Sequence, residues 1–577
     1  MKTKFSFKLS IAAILFLAIP AFANLPIPGP HELPDPDGST CSTDKPVKVY
    51  ILSGQSNMVG MGQVSNSDPN LKGTLETITA DGLFPHLIDD AGAWTIRNDV
   101  WYEGVVTATA KKWLTVGCGA RGNTIGPELG FGHIMGYYHD EPVIILKASQ
   151  GNRSINWDFA PPSTERFEYN GRIYAAYGES PGNWPLDGGP GLFGWYAGKQ
   201  WDDCFMAESE MGPMAWDNGL EYPNNCQVYS NGMTYISKSA HRSTFLSEPG
   251  VGPQSSTFWN EYSIFNATDV LDNFATKFPK YAGQGFEIAG FVWWQGNKDM
   301  NEGEPHASRY EFNMVNFVKD LRNYFEKRYP DNCTRNAPFV IATYAEGGWD
   351  MTGHALTVAN GQIAASNPNK HPEFEGSVAT VEARDFWRST SVSPTTAGYH
   401  YNGNAETYML VGDSLGRAMV ELLPAYSVNA GDDMITWNGE EVPLNATIQD
   451  SNTVASYEWI ALNPDPSHIT VVLDPAVNEL DPSTSVVANP TITITKPAGE
   501  ALEITLMLKV DDGINKTVID TINIEVYDDA CKATRFGLGI TSIADISENC
   551  VLNLEDIAAI AETWLKFTGL PAPIAKP

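Results

Sequence analysis

Five apolar runs, rich in valine, isoleucine and aromatic residues, punctuate the first 425 positions: Val47–Ser53, Pro142–Ala148, Ile288–Gln295, Phe339–Tyr344 and Ser377–Glu382. Short runs without strict alternation predict strands buried on both faces. Between them the period lengthens. Tyr310, Met314, Phe317, Val318, Leu321, Tyr324 and Phe325 recur at steps of three and four, the single apolar face of a helix. A second helix is predicted from Asn404, a good cap, to about Leu422. Strands alternating with helices imply a parallel sheet covered on both sides. The pattern fails from about 161 to 267, where Gly, Pro and aromatics dominate. A structureless loop of that length does not suit a compact domain, so an ordered insertion at the rim of the site is expected. Its Trp184, Trp195, Trp201, Trp216 and Trp259 would build a small core of their own or stack on sugar rings. Beyond Leu423 the texture changes to short alternating runs at Val442–Ile448, Ser456–Leu462, Ile469–Leu473, Thr491–Thr495, Leu502–Val510 and Thr517–Val526. These predict an antiparallel β-sandwich of immunoglobulin type over 426–528, a spacer more than a binding module.

The N-terminus adds a compartment. Lys2, Lys4 and Lys8 precede an apolar run from Ile11 to Pro20, and Ala21-Phe22-Ala23 follows. This predicts a secretory signal peptide over 1–23, a linker over 24–45, and an extracellular or periplasmic product. No later stretch is long and apolar enough to span a bilayer. The formal charge is −32, and loss of the three leader lysines makes it −35. Such a chain repels nucleic acid and anionic membranes, so neither is expected as a partner. Export makes disulfides plausible among Cys41, Cys118, Cys204, Cys226, Cys333, Cys531 and Cys550. Cys531–Cys550 is the first expected pair and Cys204–Cys226 the second. In the tail, 529–577, the residues Asp545, Ser547, Asn549, Val551, Asn553 and Asp556 fall at positions 1, 3, 5, 7, 9 and 12 of a calcium-type loop. Position 6 is Cys550 rather than glycine and position 12 is Asp rather than Glu. The expectation is therefore divided between a calcium site and a helix–loop–helix clasped by Cys531–Cys550.

The chemistry centres on Lys48-Val49-Tyr50-Ile51-Leu52-Ser53-Gly54-Gln55-Ser56-Asn57-Met58. A buried strand running into Gly54 and then a serine has the form of a nucleophile elbow, or of a strand-to-helix turn capped by serine. Three later blocks sit at or near the ends of predicted strands: Lys147-Ala148-Ser149-Gln150-Gly151-Asn152-Arg153-Ser154, Trp293-Trp294-Gln295-Gly296-Asn297-Lys298-Asp299, and Gly398-Tyr399-His400-Tyr401-Asn402. With Gly126-Pro127-Glu128-Leu129-Gly130, these blocks over roughly 45–425 resemble the SGNH hydrolases. The resemblance is closer still to the carbohydrate esterases of family 6 and the sialate O-acetylesterases.

The resemblance implies a three-layer α/β/α, flavodoxin-like hydrolase domain with a five-stranded parallel sheet at 46–425. It implies ester hydrolysis on acetylated carbohydrate with no cofactor for catalysis. Ser56 would be the nucleophile and His400 the base. The oxyanion would meet the backbone N–H groups of Ser56 and Gly151 and a side-chain amide, Gln295 or in its place Asn297. Many SGNH enzymes carry the triad acid three residues before the histidine, where this chain has Ala397, and Asn297 stands where the family's block has Glu. Glu382 and then Asp385, at the end of the last strand, are the expected acids, with a Ser–His dyad as the alternative; Asp299 is expected to brace the oxyanion loop. A sialate or other acyl-sugar esterase, and a non-catalytic glycan-binding protein, are the competing functions. The C-terminal modules resemble a PKD domain followed by a single dockerin-like repeat, which implies an anchoring or docking partner for the tail.

Overall fold

The computed structural model describes residues 41–538, apart from 44, 69–70, 424–426, 432, 450–455, 463–468, 477–483, 500 and 512–517. The leader, most of the linker and the calcium-type loop therefore lie outside the described residues, as does Cys550.

All five predicted strands form. With two more they make a seven-stranded, mostly parallel sheet: β1 (Val47–Gly54), β2 (Arg97–Val105), β3 (Lys111–Leu114), β4 (Val143–Ser149), β5 (Phe286–Trp294), β6 (Phe339–Ala342) and β7 (Val378–Val381). Their order is β7-β6-β5-β1-β4-β2-β3; every neighbour is parallel except the edge pair β2–β3. The expectation of five strands is corrected by β2 and β3. In β2 the side chains of Arg97, Asp99 and Glu103 are buried as ions. Arg97 pairs with Asp99, and Glu103 accepts from Lys111 at 3.1 Å and Lys277 at 3.4 Å. Charges neutralised inside the fold hide a strand from a hydrophobicity pattern.

Period-two alternation splits β1 between two cores. Tyr50 and Leu52 face α2 (Glu128–Tyr138) and the C-terminal α7 (Ala405–Leu422). Val49 and Ile51 face α5 (Tyr310–Arg328) and α6 (Gly353–Ala365). The predicted apolar face of α5 is the one buried. Its Phe317 meets Trp293 at 4.4 Å and Trp201 at 5.2 Å between ring centroids, contacts worth about 0.5–1.5 kcal/mol each beyond area burial. Asn404 caps α7 by accepting from the N–H groups of Glu406 and Thr407.

The insertion is ordered. It carries α3 (Lys199–Phe205) and two small three-stranded sheets. Trp259 and Trp216 join one satellite core and Trp184 another, while Trp201 is buried in the main core.

The sandwich has a five-stranded sheet facing a three-stranded one around Trp459, Leu473, Ile494 and Leu508. Met434–Trp437 joins it parallel to Val518–Tyr527, a departure from an all-antiparallel arrangement. It touches the α/β body just ahead of β6 and β7, through Arg335–Asp433 at 2.5 Å, Asn336–Asp520 at 3.0 Å and Lys509–Glu375 at 2.8 Å. These contacts lie at the N-terminal ends of the strands, opposite the edge that carries Ser56.

Cys531 is disulfide-bonded, as its expected pairing requires. The Cys204–Cys226 pairing is not formed: both are free buried thiols, in the main core and a satellite core respectively. Among the described residues no helix is long and apolar enough to cross a membrane, and no cluster of His, Cys, Asp and Glu could hold a metal ion.

Candidate active site

The C-terminal end of β1 is shaped by glycine. Gly54 has φ 150°, and a Cβ there would fall 2.1 Å from the Trp294 carbonyl oxygen, so no side chain fits. The chain then turns into α1 (Ser56–Val59), with Gln55 as N-cap and Ser56 as the first helical residue. Ser56 is 8% exposed. Beneath this turn lies a buried ion pair. Lys147 Nζ donates to Glu128 Oε2 at 2.8 Å, to the Val59 carbonyl at 3.0 Å and to the Cys118 carbonyl at 3.1 Å. Glu128 Oε1 accepts from the Gly126 N–H at 2.8 Å. The Gly126-Pro127-Glu128 block thus secures the far end of the Ser56 turn.

Gly151 follows β4 beside the serine: a Cβ built on it would stand 3.7 Å from Ser56 Cβ. Among the described residues, neither the Ser56 N–H nor the Gly151 N–H donates to a protein acceptor. Two unspent backbone donors next to one hydroxyl are what an oxyanion requires.

The two amides differ. Gln295 Nε2 faces three acceptors, Asp299 Oδ2 at 2.6 Å, the Arg153 carbonyl at 2.8 Å and Gln55 Oε1 at 3.1 Å; its Oε1 accepts from Tyr310 Oη at 2.7 Å. An amide has two N–H protons, so Gln295 has none left for an oxyanion and acts as a brace between loops. Asn297 Nδ2 donates to Tyr344 Oη at 3.1 Å and only weakly to Glu346 at 3.5 Å, so one of its two N–H groups is loosely held. Asp299 accepts from the N–H groups of Ile155 and Asn156 at 3.0 and 3.2 Å, holding the loop after Gly151, and burial pushes its carboxyl up to about 7.

His400 lies in a kinked segment, Gly398–Gly403, whose Tyr401 and Asn402 have positive φ. That segment is tied to the Ser56 turn by Asn57. Its Nδ2 donates to the Tyr399 carbonyl at 3.1 Å, and its Oδ1 accepts from Tyr408 Oη at 2.8 Å. Burial holds the His400 imidazole below its ordinary value. Among the described residues no side chain hydrogen-bonds its ring, and the Ser56–His400 bond is not formed here. Such bonds are often long before substrate arrives.

Neither expected acid reaches that ring. Glu382 is held by the Arg384 guanidinium and the Arg384 N–H. Asp385 accepts from the Trp349 indole at 2.6 Å. A third carboxylate, Glu346, does approach the His400 segment. A Cβ on Gly398 would lie 2.5 Å from Glu346 Oε1, and Tyr344 Oη donates to its Oε2. The sequence carried a signal for Glu346, which lies two residues beyond Tyr344 at the end of a predicted strand. Asn57 had one too, inside the serine block.

No protein-family model matches the chain, and no curated protein matches it significantly. Among solved structures it is similar to a protein from Arabidopsis thaliana (13% identity, 66% of this chain and 100% of that one, TM-score 0.31). It is also similar to a carbohydrate acetylesterase from Xanthomonas citri (12% identity, 80% and 74%, TM-score 0.29). A PKD domain aligns with 18% of this chain and 87% of its own at 21% identity, TM-score 0.14. TM-scores this low do not establish a shared fold. The resemblance to the SGNH hydrolases rests on the sequence blocks.

Proposed function

We propose that the chain is a serine ester hydrolase of SGNH type that removes O-acetyl groups from carbohydrate. Its catalytic body would span 46–425 as an α/β/α sandwich. The β-sandwich of 426–528 would serve as spacer and the tail of 529–577 as an anchoring or docking element that takes calcium if its loop is competent. A leader at 1–23 would export it to the periplasm or beyond. The observation that carries the reading is Ser56 on a turn only glycine permits, with two unspent backbone N–H groups beside it and the His400 segment tied in through Asn57.

The chemistry is acyl transfer. Ser56 Oγ attacks the acyl carbon while His400 takes its proton, and the oxyanion accepts from the Ser56 and Gly151 N–H groups and from Asn297. His400 then gives the proton to the departing sugar hydroxyl. Water, deprotonated by His400, releases acetate and frees Ser56. Acetate release from acetylated xylan, an acetylated marine polysaccharide and O-acetyl sialic acid tests the reading. No release from any of them by folded protein would favour a glycan-binding role, to which the unoriented His400 ring also points.

Only neutral imidazole accepts the serine proton. Because burial lowers the His400 pKa, the acid limb of kcat/KM is expected to have its midpoint below 6.5, with activity flat through pH 7 and lost as falling pH protonates the ring. A midpoint above 6.5 would point to a carboxylate already on the ring.

The orienting acid is assigned to Glu346 rather than Glu382 or Asp385, because it abuts Gly398 and is not spent on an arginine. Glu346→Gln is expected to lower kcat by about 10²- to 10⁴-fold, and Glu382→Gln by less than about threefold. The reverse ranking would return the role to Glu382.

A further inference from the structure

A cavity of about 520 Å³ opens between the insertion and the loop that follows Gly151. One wall is the loop from Asn152 to Asp158, which begins at the residue after Gly151. Another is formed by Lys298 and Glu302 of α4 (Asn297–Glu302), the helix that begins with Asn297. The insertion closes it with Gly182, Phe193 and Trp195. The volume lies within the range of small-molecule sites, about 300–1,000 Å³.

We propose that this cavity is a subsite for a neutral sugar unit of the glycan, next to the unit that carries the ester; the inference deepens the esterase reading and rests on it. Three observations carry it. The first is the aromatic lining. Trp157 is packed beneath Gly182, where a Cβ would stand 3.4 Å from its ring, and Phe193 is 51% exposed at the mouth. Trp195 is clamped by the Arg153 guanidinium 4.3 Å from its ring centroid. Rigid aromatic faces suit the apolar faces of a pyranose.

The second is unmet polarity. Trp195 Nε1 and His306 Nδ1 are buried with no hydrogen-bond partner among the described residues. Burial lowers the His306 imidazole to about 4, so it is neutral at pH 7 and offers both an acceptor and a donor. Buried groups left unpaired cost about 1–3 kcal/mol each, and ring hydroxyls would meet them.

The third is charge. Lys298 is paired with Glu302, and Arg153 lies 4.0 Å from Asp158. The two cations of the lining are thus matched by two carboxylates, in a chain of formal charge −32. The cavity has no spare cation for a uronate or a sialate carboxylate, so a neutral sugar is the ligand class that fits.

The test is calorimetric titration of the mature Ser56→Ala chain, in which binding does not depend on turnover. Xylotetraose, mannotetraose and galactotetraose serve as neutral probes and α2,8-linked trisialic acid as the anionic one. At least one neutral tetraose is expected to bind, with affinity reduced tenfold or more by Trp195→Ala and by Phe193→Ala, and the trimer not at all. Phe193, exposed at the mouth, keeps the test intact if Trp195→Ala does not fold. Binding of no neutral probe, equal binding by both folded variants, or tighter binding of the trimer would overturn the subsite. None of these outcomes bears on acetate release by the unmutated serine, so the two readings fail separately.

Discussion

Ser56→Ala is expected to abolish acetate release, by about 10⁴- to 10⁶-fold in kcat, while the melting temperature moves by less than about 2 °C. The two halves of this expectation come from one feature. A serine before a helix is most often a cap, and losing a cap costs about 1 kcal/mol of stability with no chemistry attached. Here the cap position belongs to Gln55, whose Oε1 is used to hold the Gln295 and Lys298 loop. Ser56 sits one residue later, as the first residue of the helix rather than its cap. Alanine is well tolerated at that place, so stability is preserved. On the proposed mechanism the Ser56 hydroxyl attacks an electrophile placed against the Ser56 and Gly151 N–H groups. Titrating acetate and recording the melting curve on the same preparation separates the cases. A stable protein without turnover supports the nucleophile, whereas retained turnover would remove Ser56 from the mechanism.

The central strands were legible because each is an uninterrupted apolar run, and observed and predicted ends differ by no more than a turn's worth of residues. β2 was not, since its buried Arg97, Asp99 and Glu103 are ions, the first two paired with each other and Glu103 with Lys111 and Lys277 from outside the strand. The same logic governs the site. Ser56 and Gly151 announce themselves through local sequence, because a turn needs glycine and a hole needs backbone N–H. The roles of the side chains depend on who else competes for them. Gln295 looks like an oxyanion donor until Asp299, Arg153 and Gln55 are seen to take its protons. Glu382 looks like a triad acid until Arg384 is found on it. Glu346 carries no motif beyond its place two residues after a predicted strand, and the approach of Gly398 singles it out. Trp195 was one aromatic among several in the insertion; the structure separates it from Trp184, Trp216 and Trp259 by giving those three a core to fill.

Lys147→Met is expected to be among the most damaging single substitutions outside the chemistry. Lys147 and Glu128 are both fully buried, and the ammonium spends its donors on Glu128 and on the Val59 and Cys118 carbonyls. Removing the cation leaves a carboxylate without counter-charge in the core and two carbonyls without donors. Breaking one partner of such a pair costs about 3–5 kcal/mol. At about 2 °C per kcal/mol for a large domain, that is a loss of about 6–10 °C in the transition of the α/β body, read by calorimetry so that the sandwich can melt separately. The double variant Glu128→Gln/Lys147→Met removes both charges and is expected to recover part of the loss, which a mere packing defect at position 147 would not do. Turnover should fall with the single variant as well. Val59 closes the helix that begins at Ser56, and without its lysine the far end of the nucleophile turn loses the contact that fixes it. A single variant that melts within 1 °C of the parent would mean that water or a shifted side chain replaces the ammonium, and would remove Lys147 from the support of the site.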